Sequence, residues 1–426
     1  MIRPTPLWRS VAVLGVAGLL LTACGGDDET TTKGKDQGTK TGAPAAKGDG
    51  TLKIGTLLPQ TGSLAFLGPP EFAGVKLAVK DINDAGGVNG KQVEEVDSDS
   101  GDTATDTASQ SVDRLLSNNV DAIIGAASSS VSLSVIDKIT GAGVLQISPA
   151  NTSDELTDYA DKGLYFRTAP PDVLQGRVLG DLIAADGNST VGILALQDAY
   201  GTGLADNLEK AFSASGGQVV EKVIYDPKAA SFSTEVGKIK AADPEAIAVI
   251  AFDETKKIIP EMVKQGIGPA NKKVYFVDGN VGADYSKDFP AGTLEGVKGT
   301  NPGVVADNAF KDRLKTIDPK LDAYTYGPES YDAAILVALA AVAAKDDAGT
   351  SLASKMQEVS AGGTKCTSFK ECNDLLKNGE DIDYDGVSGP VEFNDKGDPS
   401  QATVSIYEFK GKSNIAEYLE GKEGKI

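Results

Sequence analysis

From about residue 52 onward the chain alternates two kinds of pattern. Short apolar runs such as "LKIGTLL" (52–58), "VDAIIG" (120–125) and "GVLQIS" (143–148) have the length and bulk of buried strands. Between them lie longer stretches with apolar residues three or four apart. In "EFAGVKLAVKDINDAGG" (71–87), Phe72, Val75, Ala78, Val79 and Ile82 recur at helical spacing and Gly86-Gly87 stops the run. Strand-like "QVEEV" and helix-like "ATDTASQSVDRLLSN" complete a βαβαβαβ series, which calls for a parallel sheet with helices on both faces.

After Thr168 the alternation restarts. Strands are expected at "TVGILAL", "QVVEKVIY", "EAIAVIAF" and "KKVYFV", with helices near residues 201–213, 233–241 and 255–265. Pro260 would have to sit in the first turn of the last of these or kink it. "GPESYDAAILVALAAVAA" (327–344) predicts a strongly apolar helix, and "SGPVEFNDKGDP" (388–399) a strand running into a turn. Two series of similar size imply two α/β lobes with a cleft between them, and open α/β sheets bind ligands beyond the carboxyl ends of their strands. Three serines stand at such an end, in "GAASSSVSL" (125–133), where a cap, a nucleophile and a ligand cradle are all open readings.

The N-terminus breaks this pattern. Arg3 and Arg9 precede "VAVLGVAGLLLTA" (11–23), a basic region followed by a short apolar one, as in an export signal. The run falls short of the ~20 apolar residues of a comfortable membrane span, so a transmembrane anchor is the weaker alternative. Residues 25–50, "GGDDETTTKGKDQGTKTGAPAAKGDG", hold no large apolar side chain and read as a disordered tether.

Composition narrows the chemistry. With 40% hydrophobic and 24% charged residues, 426 residues suffice for two full-sized cores. The net charge of −20 argues against nucleic-acid binding. Histidine is absent, which removes Ser-His-Asp and Cys-His catalysis and the commonest transition-metal ligand. No G-x-S-x-G, P-loop or complete G-x-G-x-x-G occurs, and "YGTG" at Tyr200 lacks the third glycine. These absences do not exclude every enzyme, but they lower that class sharply, and no cofactor is expected. "DIDYDGVSGPVE" (381–392) satisfies the EF-hand spacing, yet Pro390 and "VEF" stand where the second helix is needed, so no metal is assigned. Cys366 and Cys372 in an exported chain are expected to form a local disulfide.

Several segments together resemble a known family. "LTAC" (21–24) resembles the lipobox of bacterial lipoproteins, with Cys24 as the lipidated residue. "TGSLAFLGPPEFAGVKLAVKDINDAGGVNGKQVE", "IIGAASSSVSLSVIDKITGAGVLQISPANTSDEL", "FRTAPPD", "DAYGTGLADNLEKAF" and "GVSGPVEFNDKGDP", in that order, resemble the type I periplasmic solute-binding proteins of ABC importers, specifically the leucine/isoleucine/valine-binding branch. The resemblance implies two Rossmann-like lobes with parallel sheets, joined by a three-strand hinge and closing on an amino acid. It divides the chain into a signal peptide (1–23), lipidated Cys24 and tether (24–50), an N-lobe (51–169 plus 299–386) and a C-lobe with C-terminal segment (170–298 plus 387–426).

It also implies a site. Ser129 and Thr152 match the family's hydroxyls and Ala150 its backbone amide, holding the ligand carboxylate. Tyr200 matches a tyrosine of the second lobe, and Asp278 an acidic residue for the ammonium, with Asn280 as the alternative. Phe66 or Leu67 would face the ligand side chain. Where the family often has a second tyrosine this chain has Ala251, with Phe252 or Asp253 reachable by a small shift. A leucine-type or larger, more polar side-chain pocket is therefore open, and binding of amides, urea or aromatic acids, or a sensory role, stands as the alternative. The implied protein is a monomer on the outer face of the cell membrane, with ABC permease subunits as partners.

Overall fold

The structure, a computed structural model, describes residues 47–426. The signal sequence, Cys24 and the tether up to residue 46 lie outside the described residues. The last tether residues are not loose: the Gly48 and Gly50 amides donate to the Asp346 and Asp347 carboxylates at 2.9 and 3.0 Å, which fixes the entry to the first strand.

The first lobe begins with β1 (Lys53–Leu58), α1 (Gly68–Asp84), β2 (Glu94–Asp99), α2 (Thr107–Ser117), β3 (Ala122–Gly125), α3 (Ser129–Gly141), β4 (Leu145–Ser148) and β5 (Tyr165–Arg167). All pairings are parallel and the strand order is β2-β1-β3-β4-β5. Every residue of β3 and β4 is buried, as expected where helices cover both faces.

The second lobe carries α4 (Asp172–Ala185), β6 (Thr190–Leu196), α5 (Ala199–Ala214), β7 (Gln218–Tyr225), α6 (Ser233–Ala242), β8 (Ala246–Ile250), α7 (Thr255–Gln265), β9 (Lys273–Phe276), the short α8 (Asp278–Val281) and β10 (Lys298–Pro302). Pro260 lies inside α7, beyond its first turn, which leaves the second of the two expected placements. The chain then returns to the first lobe with α9 (Asn308–Ile317), α10 (Gly327–Ala344), α11 (Gly349–Ala353), α12 (Met356–Ser360), β11 (Thr364–Cys366), α13 (Phe369–Lys377), β12 (Ile382–Gly386) and β13 (Gly389–Pro390). By length and composition α10 could cross a membrane, but its side chains are buried in the first-lobe core, beside α1 and α12.

Two expectations are corrected here. Residues 388–399 form a two-residue strand and a turn rather than a longer strand, and they stay with the first lobe: Phe393 packs edge-on against Phe166 at 5.2 Å. The chain rejoins the second sheet only at β14 (Gln401–Phe409) and β15 (Ala416–Lys425), not at residue 387. These two strands add antiparallel pairs, so the second sheet, β15-β14-β10-β9-β8-β6-β7, is mixed. The EF-hand pattern falls on strand β12, and Asp383 and Asp385 both pair with Lys365 at 2.9 Å. The Cys366–Cys372 disulfide ties β11 to α13.

Three segments connect the lobes, at residues 168–171, 303–306 and 394–400. A fully buried ion pair holds the first to the third: Arg167 Nε donates to Asp398 Oδ1 at 2.6 Å. The same guanidinium donates to the Ser153 carbonyl at 2.8 Å and to Thr157 Oγ1 at 2.6 Å. Such a pair is costly to leave half-made, so it rigidly couples the loop after β4 to the connection between lobes.

Candidate ligand-binding site

In each sheet the strand order reverses once, between β1 and β3 in the first and between β6 and β8 in the second. The loops leaving the carboxyl ends of these strands and of β4 and β9 face each other across the cleft. They line a nearly closed chamber of ≈ 10 Å³. Leu64 and Leu67 come from the loop after β1, Ala127 to Ser129 from the turn after β3, and Ala150 and Thr152 from the loop after β4. Tyr200 follows β6, Phe252 follows β8, and Asp278 and Gly279 follow β9.

The three serines divide their work. Gly125 closes β3 at φ +126°, and a Cβ there would stand 2.1 Å from the Leu57 carbonyl, so the turn that delivers them needs glycine. Ser128 is the N-cap of α3, its hydroxyl accepting from the Val131 amide. Ser129 Oγ accepts from the Thr152 and Ser153 amides, both at 3.2 Å, which welds the two loops together and leaves its own proton to donate into the chamber. That proton lies at the N-terminus of a helix of 13 residues, where an anion is favoured. Ser130 reaches the other lobe: its Oγ donates to Asp198 Oδ2 and accepts from the Ala199 amide, each at 3.1 Å. Ser153 Oγ donates to the Ala199 carbonyl at 3.1 Å, and Asn207 Nδ2 to Asp154 Oδ2 at 2.6 Å. The lobes are thus hydrogen-bonded along the α3–α5 flank of the cleft.

On the opposite wall Asp278 is buried and accepts three hydrogen bonds. Tyr200 Oη donates to Oδ1 at 2.6 Å, Gln175 Nε2 to Oδ1 at 2.9 Å, and Tyr326 Oη to Oδ2 at 2.9 Å. Burial raises the pKa of Asp278, against the pull of these donors. Neighbouring Asp172 is buried with neither oxygen hydrogen-bonded, and burial together with the Asp278 charge pushes it well above the carboxylate range. The three donors favour the charged form of Asp278, which faces the chamber. A carboxylate with three donors retains one lone pair for a further donor, such as an ammonium.

Of the expected residues, Ser129, Ala150, Thr152, Tyr200, Asp278, Leu67 and Phe252 line one chamber. Phe66 does not; it faces the adjoining groove described below. Asn280 stands behind the wall, where its amide bonds the Val277 amide, the Val249 carbonyl and Thr255 Oγ1, so it is committed to holding the turn. Phe252 lies over the Tyr200 ring at 5.4 Å and 11°, the position a shifted second tyrosine would have taken. Sequence reasoning missed Tyr326, Gln175 and Leu64. Tyr326 stands at φ +59° immediately before α10, a kink with no signal in the periodicity.

Residues 51–413 match the family described as Periplasmic binding protein. The chain belongs to that family. Within it the similarity is to the branched-chain amino acid type. The leucine-, isoleucine-, valine-, threonine- and alanine-binding protein of Pseudomonas aeruginosa is 30% identical over 217 residues, 50% of this chain and 57% of that protein. The Leu/Ile/Val-binding protein homolog 1 of Brucella abortus is 26% identical over 86% of this chain and 93% of its own length. Among solved structures, the binding protein LivJ of Streptococcus pneumoniae with isoleucine superposes with a TM-score of 0.71 at 23% identity, covering 88% of this chain and 100% of that one. A solute-binding protein of R. palustris in complex with benzoate gives 0.69 at 19%, covering 88% and 97%. These relatives are substrate-binding proteins, not enzymes, and this chain is a solute-binding protein of the same fold, with the extracytoplasmic setting of its family.

Proposed function

We propose that this binding protein captures an apolar α-amino acid for an ABC importer, held to the outer face of the membrane through lipidated Cys24. The observation that carries the reading is the polarity of the chamber. A helix N-terminus with a free hydroxyl proton stands on one lobe, and a buried carboxylate with capacity for one more donor stands on the other. An α-amino acid offers carboxylate and ammonium at matching ends, and only a ligand that touches both lobes stabilises their closed arrangement. Bending at the three connecting segments would open and close the cleft. A benzoate-type acid satisfies the serine end but leaves Asp278 without a cationic partner, so the amino acid is favoured over that alternative.

Thermal unfolding with valine, leucine, isoleucine, phenylalanine and benzoate tests this. An amino acid should raise the melting temperature in proportion to the logarithm of its concentration, and benzoate should not. If none of the amino acids moves the curve, the reading fails. Cys24→Ala should move the protein from the membrane fraction to the soluble one; retention in the membrane would favour a transmembrane anchor.

A further inference from the structure

The chamber continues into a second, much larger space. Phe252, Gly279 and Tyr326 line both the ≈ 10 Å³ chamber and a groove of ≈ 890 Å³. The groove runs between the loop after β1, the segment before α10 and the second-lobe residues after α8. Its size does not come from parted lobes, because Ser130, Ser153 and Asp154 bond the second lobe directly along the α5 flank. Among the described residues no hydrogen bond joins residues 60–69 to the second lobe. One flank of the cleft is hydrogen-bonded shut; on the other, Tyr326 still donates to Asp278 across the lobes at 2.9 Å, and the groove opens beyond that bond.

A ligand fixed at Ser129 and Asp278 has its two main-chain ends against opposite walls, so its side chain is the part free to leave. Gly279 stands at the junction of the two spaces, and a Cβ there would meet the Phe252 ring and the Ala251 carbonyl at 2.7 Å, so the wall of the junction is built close with glycine. Beyond it the groove is walled by the faces and edges of Phe66, Tyr324, Tyr407 and Tyr418. Its cations are engaged: Lys256 pairs with Asp253 at 2.7 Å and Lys311 lies 5.3 Å over the Tyr324 ring. The chamber itself, at ≈ 10 Å³ with the lobes in this closed arrangement, is far below the roughly 300–1,000 Å³ typical of ligand pockets, so a side chain must find its room elsewhere.

We propose that the cleft takes an aromatic α-amino acid, whose ring passes Gly279 and lies in this groove. The inference rests on the reading of Ser129 and Asp278 as the two ends of an amino-acid site, and refines it to one class of side chain. Offset or edge-to-face packing against the tyrosines recognises the ring, and the open flank tolerates its length.

Calorimetric titration of the full-length protein with valine, leucine, phenylalanine, tryptophan and arginine tests it. Phenylalanine or tryptophan should bind about tenfold or more tighter than valine, since the ring adds buried apolar area. Ala283→Trp, which fills the groove, should abolish that preference and leave the valine affinity unchanged. Tyr324→Ala should reduce the preference by roughly fivefold. Leucine binding as tightly as the aromatics, with both variants indifferent, would overturn this inference and leave the amino-acid reading standing, and a preference for arginine would do the same. Failure of every amino acid to bind removes both.

Discussion

The two flanks of the cleft are built differently. On the α5 flank, small hydroxyl and amide side chains meet backbone groups across the gap: Ser130 with Asp198 and Ala199, Ser153 with Ala199, Asn207 with Asp154. On the other, aromatic residues from both lobes face one another over open space. Short polar contacts form only at one separation of the lobes, because a hydrogen bond weakens steeply once stretched. Large rings tolerate several separations. The first flank therefore reports whether the lobes are shut, and the second is free to adapt to what is bound. The proposed anchors of the ligand's polar ends, Ser129 and Asp278, stand between them.

The largest effect is expected from removing the charge on which both flanks depend. Asp278→Asn should lower ligand affinity by at least about 100-fold, or about 3 kcal/mol, because the ammonium would then be buried without a counter-ion. The same change relieves the crowding of Asp278 with Asp172, so the ligand-free protein should unfold at the same or a higher temperature. Loss of both binding and stability would instead mark Asp278 as a structural acid. In the unaltered protein, affinity should fall as pH drops through the raised pKa of Asp278, since the protonated acid cannot hold an ammonium.

The open flank has a second electrostatic feature. Beneath its floor at Gly303 and Val304, Glu329 is buried and its pKa is raised to about 8 by desolvation; Glu71 beside it is raised well above the usual range by burial and by Glu329. Burial also raises Asp332 to about 6 and Asp121 to about 7. A carboxyl raised on folding contributes stability that is complete below its unfolded pKa and is lost as pH rises through the folded one. The protein should therefore melt higher at pH 5.5 than at pH 9, and it has no histidine to titrate in that window. Glu329→Gln should remove part of the difference, on the order of a few kcal/mol. Hydrogen exchange sharpens the comparison: at pH 9, amides near residues 301–306 should exchange faster while those near 197–207 stay protected. Equal loosening of both would remove the distinction between the flanks.

A change remote from both flanks serves as the control. Opening the Cys366–Cys372 bridge, which closes a loop of sequence separation 6, should cost about 2 kcal/mol of stability. Ligand affinity should stay within twofold, because no residue of β11 or α13 lines the chamber or the groove. A larger change in affinity would mean that the first lobe transmits strain from its outer edge to the site.

How much of this was legible in the sequence follows from the range of the contacts. The buried strands announced themselves because both faces are covered, so "TVGILAL" and "EAIAVIAF" fall on β6 and β8. The site residues at strand ends were accessible through local motif and family resemblance. Those supplied by distant chain were not: Gln175 meets Asp278 across 103 positions and Tyr326 across 48. Phe66 and Leu67 could not be told apart, because only the conformation of the loop after β1 turns one to the chamber and the other to the groove. The β15 strand, "AEYLEGKEGK", went unread because an edge strand exposed to water carries no apolar alternation. The role of Ser130 is not legible either, since nothing within α3 hints that its partners lie 68 and 69 positions on.

Ser130 offers the smallest and most specific test of the α5 flank. Its hydroxyl touches no part of the chamber, yet it accepts from Ala199 and donates to Asp198. Both bonds exist only when the lobes are shut, so their free energy adds to closure and not to the ligand-free open state. Ser130→Ala should therefore weaken binding of a bridging amino acid by about 1 kcal/mol, roughly fivefold, the net value of a half-exposed hydrogen-bonded pair. The loss should appear in the dissociation rate, with association unchanged, since the contact forms after the ligand has entered. Stopped-flow measurement of both rates decides it. A slower association with unchanged dissociation would place Ser130 on the entry route, and no change in either would mean that the α5 flank closes on shape alone.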